Sequence, residues 1–275
     1  MAERENHWRS SQPVAVAFAY LVLGTILPLV NLRLPPVVGI TISIALLMIL
    51  QLLLVVSLAR VQMSSKVCLS VLLPAAGLTI ALSFIMGKWE IRNPALLSFS
   101  MSMRSLTMMV TGGSLGYLVS FIVREPNLLL PCAVFAAMVD YWSVTWGPLS
   151  HMLEKKASVV AAASVQMPAL GRVSPVTMIG VGDFLFLALF FGVLYRFNMN
   201  AKGTFWIGYA LLTVSMFLVL YGRTAFPALV PMGAAVIIAN YRYFRLRREE
   251  LLAMLYVGLF LLVAIIGAGF YFLRR

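Results

Sequence analysis

Gly180-Val181-Gly182-Asp183-Phe184-Leu185-Phe186 sets one carboxylate into an apolar run. From Val176 to Leu194, Asp183 is the only ionisable side chain. A charged side chain at the centre of a membrane helix costs about 2.5–3.5 kcal/mol on insertion scales, so a retained one marks a working residue or a polar contact. A second stretch has the same character. Between Leu128 and Trp146, Asp140 is the only carboxyl or amine. The chain has no other aspartate.

Outward from these two runs, the composition is that of a membrane protein. Of 275 residues, 62% are hydrophobic and 11% charged, and the mean hydropathy is +0.97. Apolar runs of about 20 residues cross a bilayer as helices. The first run leads straight into others and lacks a small-residue cleavage site, which argues against a signal peptide on a soluble body. The net charge of +12 is carried by Lys and Arg between apolar runs. That placement suits lipid headgroups and not nucleic acid. Cys68 and Cys132 both lie in apolar segments and read as small buried hydrophobes. His7 and His151 are far apart, with no Cys/His cluster beside them, so no metal site is expected.

The expected fold class is an all-α polytopic protein of about nine transmembrane helices. After a polar head, Met1 to Ser11, the segments are Val14–Leu32, Pro36–Ala59, Val67–Met86 with Pro74 a kink, and Leu106–Val123. They continue as Leu128–Pro148, Pro175–Phe197, Thr204–Tyr221, Phe226–Ala239 and Leu251–Leu273. Lys88 to Arg104 reads as an interfacial stretch. Leu149 to Ser174 is the longest connection, with room for a short amphipathic helix or strand. Just before the Gly-x-Gly-Asp helix, Arg172 to Thr177 carries Val173, Val176 and Thr177, which favour strand. Lys and Arg are nearly equal on the two sides of this layout, so the charge rule leaves orientation open.

Asp140 precedes Pro148 by as many residues as Asp183 follows Pro175. If both intervals are helical, the two carboxylates sit about 12 Å in from the same end of consecutive, antiparallel spans. Two facing carboxylates cannot both ionise easily. One holds a proton while the other acts as base, and water becomes the nucleophile on a peptide carbonyl. Gly180 and Gly182 leave room beside Asp183 for a partner helix or an extended substrate. The plainer alternative for the glycines is helix packing, and for the aspartates a hydrogen-bonded pair that holds helices together.

Three places resemble the presenilin and signal peptide peptidase family of intramembrane aspartyl proteases. Gly180-Val181-Gly182-Asp183-Phe184-Leu185-Phe186 resembles its Gly-x-Gly-Asp motif with a presenilin-like Phe-x-Phe continuation. Asp140, with Gly147-Pro148-Leu149 and Met152-Leu153-Glu154 after it, resembles the segment around the first catalytic aspartate. Pro227-Ala228-Leu229 resembles the Pro-Ala-Leu motif near the active site. Their order and rough separations resemble the family's across about Leu128 to Asn240. The family's tyrosine before the first aspartate is Val139 here, with Tyr141 after it. Pro94-Ala95-Leu96 and Pro168-Ala169-Leu170 repeat the tripeptide, but only the copy at 227 opens a short span downstream of Asp183. In presenilin-type proteins that motif opens the last span, whereas here a further segment follows.

The resemblance implies an intramembrane aspartic endopeptidase with Asp140 and Asp183 as its catalytic pair. Gly180, Gly182, Pro227, Ala228 and Leu229 would support the site and the substrate. It implies no cofactor, a transmembrane-helix substrate, and the bilayer as the other partner. Residues 1–127 would form an N-terminal bundle of about four helices, and 128–275 the catalytic membrane region with both aspartate helices. It also implies that Leu149 to Ser174 is cytoplasmic and the N-terminus outside.

Two rivals remain at this level. One is a prepilin-peptidase-like aspartyl protease, which shares Gly-x-Gly-Asp but places a basic residue soon after it, where this chain has Phe184-Leu185-Phe186. The other is a transporter or channel whose aspartates relay protons or bind a cation. Gly112-Gly113-Ser114-Leu115-Gly116 also fits the serine-hydrolase pattern, but without a histidine base nearby its glycines read as helix packing.

Overall fold

The computed structural model describes residues 2–30, 35–89, 91–145, 163–222 and 226–245, and scattered positions from 248 to 263. Contacts divide the chain into two compact units. The first comprises Met1–Ile122 and Val160–Arg196, the second Val123–Val159 and Phe197–Arg275. Among the described residues, five helical stretches are long and apolar enough to cross a membrane: Ser11–Leu29, Val37–Arg60, Ser65–Lys88, Pro126–Thr145 and Ala201–Gly222. The coarse expectation of a helical membrane protein holds.

In the first unit, α1 runs Ala2–Ile26, so the helix extends back through the polar head, and closes in a 3-10 turn at Leu27–Leu29. Helix α2, Pro36–Arg60, opens with proline at its first position, where the missing N–H costs nothing. Gln62 takes a left-handed backbone and turns the chain. The Ser64 hydroxyl then caps α3, Ser65–Lys88, by accepting from Val67 N. Pro74 lies inside α3.

Helix α4 runs Pro94–Ser120, so the helix expected from Leu106 already begins inside the stretch read as interfacial. Asn93 caps it, its Oδ1 accepting from Ala95 N at 2.9 Å, with Pro94 next. This Asn-Pro start was legible in the sequence but was masked by the polar content that follows. That content has a tertiary reason. Helix α4 is the hub of this unit and packs on α1, α2 and α3. Ser98, Ser102, Ser105, Thr107, Ser114 and Ser120 are buried within the protein.

A hairpin follows the undescribed stretch at 146–162. Strand β1, Ser164–Ala169, pairs antiparallel with β2, Arg172–Gly180, from Ser164↔Gly180 to Ala169↔Arg172 with an irregularity after Met167. Gly171, at φ 68°, makes the turn. Val165, Met167 and Ala169 are fully buried. The expected span Pro175–Phe197 is therefore corrected. Residues up to Gly180 are strand, and α6 begins only at Val181, running to Arg196. The β-branched residues Val173, Val176, Thr177 and Ile179 account for the extended chain, and Pro175 denies it a helical donor.

Helix α6 lies directly against α4. A Cβ at Gly112 would stand 2.8 Å from Val181 O, and one at Gly116 would overlap the Leu185 backbone. From the other side, a Cβ at Gly192 would stand 2.7 Å from Ser120 Oγ. The glycines of the serine-hydrolase-like motif thus serve helix packing. Arg196 ties the far ends together, donating to Ser120 O at 2.6 Å.

In the second unit, a 3-10 turn at Pro126–Leu128 leads into α5, Leu129–Thr145. Helix α7 is Ala201–Gly222 and α8 is Leu229–Asn240. Helix α8 packs on both α5 and α7. A Cβ at Gly233 would stand 3.0 Å from Ala133 O, and one at Gly208 3.7 Å from Ala235 Cβ. Asn240, fully buried, joins the ends: its Nδ2 donates to Thr204 Oγ1 at 2.8 Å, and its Oδ1 accepts from Asn200 N at 2.8 Å. The expected segment Leu251–Leu273 falls largely outside the described residues.

Candidate active site

The two aspartates are held in different ways. Asp140 lies in the last turns of α5, in the second unit, and is half-buried. Its Oδ2 accepts the backbone N–H of Leu229 at 2.9 Å, a contact between residues 89 positions apart. Leu229 is the first residue of α8, and Ala228 before it offers no side-chain cap. The first N–H groups of a helix have no intrahelical partner. The Asp140 carboxylate supplies one from a neighbouring helix, and its charge is favoured at the positive end of the α8 dipole.

Pro-Ala-Leu at 227 is thereby distinguished from its two copies. Pro94-Ala95-Leu96 is the capped start of α4, and Pro168-Ala169-Leu170 ends β1. Pro227 and Leu229 are buried and Ala228 is half-buried. The motif is the irregular entry to a helix of 12 residues, too short to span alone. Its backbone reaches Asp140 through the Leu229 N–H. The sequence singled out Leu229 but not this role, because a hydrogen-bond donor on the main chain leaves no residue-type signal.

Asp183 lies in the first unit, in the first turn of α6, half-buried, three residues past the end of β2. This corrects the premise of equal helical depth. The residues between Pro175 and Gly180 are strand, which rises about 3.3 Å per residue and not 1.5 Å. The Asp183 carboxylate turns back toward Gly180, where a Cβ would stand 3.5 Å from Oδ2. A Cβ at Gly182 would meet no described atom within 4 Å, so among the described residues this glycine borders open space. Phe184 is buried, and Phe186 stacks at a tilt on Phe190 with centroids 6.2 Å apart. The apolar continuation of the motif is a packing surface that fixes the first turn of α6.

Strand β2 is one of two in its sheet among the described residues, and β1 occupies one of its edges. Beside Asp140 in the chain, Tyr141 is exposed and Trp142 half-buried, and Trp142 Nε1 has no hydrogen-bond partner among the described residues. Trp146, like Gly147 to Glu154, lies outside the described residues.

No family model, curated protein or solved structure matches this chain.

Proposed function

We propose that this chain is a multi-pass intramembrane aspartyl protease of the presenilin and signal peptide peptidase type, with about nine spans. Asp140 and Asp183 share the acid and base roles. One carboxyl holds a proton while the other takes one from water, which attacks the scissile carbonyl. The observation that carries the reading is the Leu229 N–H···Asp140 hydrogen bond. It joins two of the three motifs on which the resemblance rests, from residues 89 positions apart, as a working site would require.

The substrate is a transmembrane helix. A helical amide is shielded by its own hydrogen bond, so the substrate has to unwind, and its freed backbone needs partners at membrane depth. Strand addition along β2 provides them. The open space at Gly182 admits the extended chain beside Asp183. By the same resemblance, Pro227-Ala228-Leu229 supports the substrate.

The same hydrogen bond favours a second reading, in which Asp140 only caps α8 and holds it to α5. The test is cleavage of a transmembrane peptide by the purified protein in liposomes. Two fragments are expected from wild type and none from Asp183→Asn or Asp140→Asn. Fragments from Asp183→Asn would sink the protease reading. Fragments from Asp140→Asn alone would leave Asp140 as a cap. Ion flux without fragments would point to the transporter class.

A further inference from the structure

The turn of the hairpin has two backbone N–H groups, and both donate outside the hairpin. Leu170 N donates to Ser43 Oγ at 3.0 Å. Gly171 N donates to Leu27 O at 3.2 Å. Ser43 is fully buried in α2, and its own proton goes to Gly39 O at 2.7 Å. A hydroxyl has one proton, so that bond aims its lone pairs at Leu170. Beside it, Leu170 rests over Gly39, where a Cβ would sit in ordinary contact at 3.6 Å. A third attachment lies further along β1, where Ser105 Oγ is 3.5 Å from Gln166 O. Leu27 O, Gly39 and Ser43 make a socket for the hairpin tip.

A two-stranded hairpin is marginal by itself. This one has its tip fixed at one end and runs into Asp183 at the other, with Gly180 ending the strand and Asp183 in the first turn of α6. We infer that Ser43 is a positioning residue: by anchoring the turn at Leu170 it preorganises the β2 edge that receives the unwound substrate. The inference rests on the protease reading for its substrate. A strand held in place before binding saves the cost of ordering it when substrate arrives, so its loss falls on substrate affinity more than on the chemical step.

The experiment compares wild type, Ser43→Ala and Gly171→Ala. Ser43→Ala removes the acceptor for Leu170 N–H. Gly171→Ala disturbs the same turn without touching α2, because φ 68° is a backbone that residues with a side chain rarely adopt. Amide exchange over residues 164–172 is expected to quicken about tenfold in both, the scale of one lost hydrogen bond. In the cleavage assay KM is expected to rise about tenfold, with kcat within about threefold of wild type. Unchanged exchange in Ser43→Ala would overturn the socket. Faster exchange with unchanged KM would overturn the positioning role and leave the protease reading standing. Absence of cleavage by wild type, with exchange altered as expected, would overturn the protease reading and the substrate role together, while the socket itself stands.

Discussion

The Leu229 main-chain N–H donates to the Asp140 carboxylate at 2.9 Å, joining the start of α8 to the end of α5. The bond makes a dual demand on position 140. It needs an acceptor there for the helix end, and the proposed chemistry needs an exchangeable proton. Asparagine meets the first demand through Oδ1 and fails the second.

Asp140→Asn is therefore expected to melt close to wild type in detergent while cleavage falls by about 10²–10⁴, the usual weight of a general acid or base. Asp140→Ala fails on both counts and is expected to lose about 1–3 kcal/mol as well, because Leu229 N–H is left without a partner. Thermal unfolding beside a fragment assay separates the two variants. Equal melting of Asn and Ala variants would show that the helix end does not depend on the carboxylate.

At Leu229 the side chain and the main chain have separate roles. The side chain is buried, at 6% exposure, so Leu229→Ala opens a cavity and is expected to cost about 2–5 kcal/mol. Stability then falls together with activity, and that variant cannot isolate the motif. Replacing Leu229 by its α-hydroxy acid keeps the side chain and deletes only the N–H. Cleavage is expected to drop at least about tenfold with a small shift in Tm. Full activity of the ester form would remove this hydrogen bond from the mechanism.

Gly116 and Gly77 are both helical glycines, yet substitution should act oppositely. A Cβ at Gly116 would overlap the Leu185 backbone, whereas at Gly77 it would meet no described atom within 4 Å. Gly116→Ala has to push α4 and α6 apart and is expected to lower stability by about 1–3 kcal/mol or more. Gly77→Ala is expected to be neutral or to gain up to about 1 kcal/mol, since alanine is the better helix former. Unfolding midpoints of the pair in one detergent make the comparison.

Gly182→Ala tests the open space beside Asp183. No described atom lies within 4 Å of the added methyl, so the fold is expected to keep its stability. If substrate backbone passes there, cleavage is expected to fall about tenfold or more, chiefly through KM. A variant as active and as stable as wild type would show that substrate does not use that face.

The amino-acid sequence by itself determined the membrane character, the limits of α2, α3 and α7 to within a few residues, and the two isolated carboxylates. These are local properties: apolar run length, a proline or a serine cap at a helix start, one charge in an apolar run. It also marked Arg172 to Thr177 as strand-forming, but not how far the strand continues. Tertiary structure decided the rest. Helix α4 carries serines and Arg104 through its length because other helices bury them, and burial inside the protein is not written in residue type. Strand β2 runs on to Gly180 because β1 pairs with it there, which moves Asp183 into the first turn of a helix. The partners of Asp140 and Leu170 lie 89 and 127 residues away, and each donates a main-chain N–H. Every residue but proline carries that group, so its partner is chosen by where the backbone has been packed and cannot be read from the type of residue that holds it.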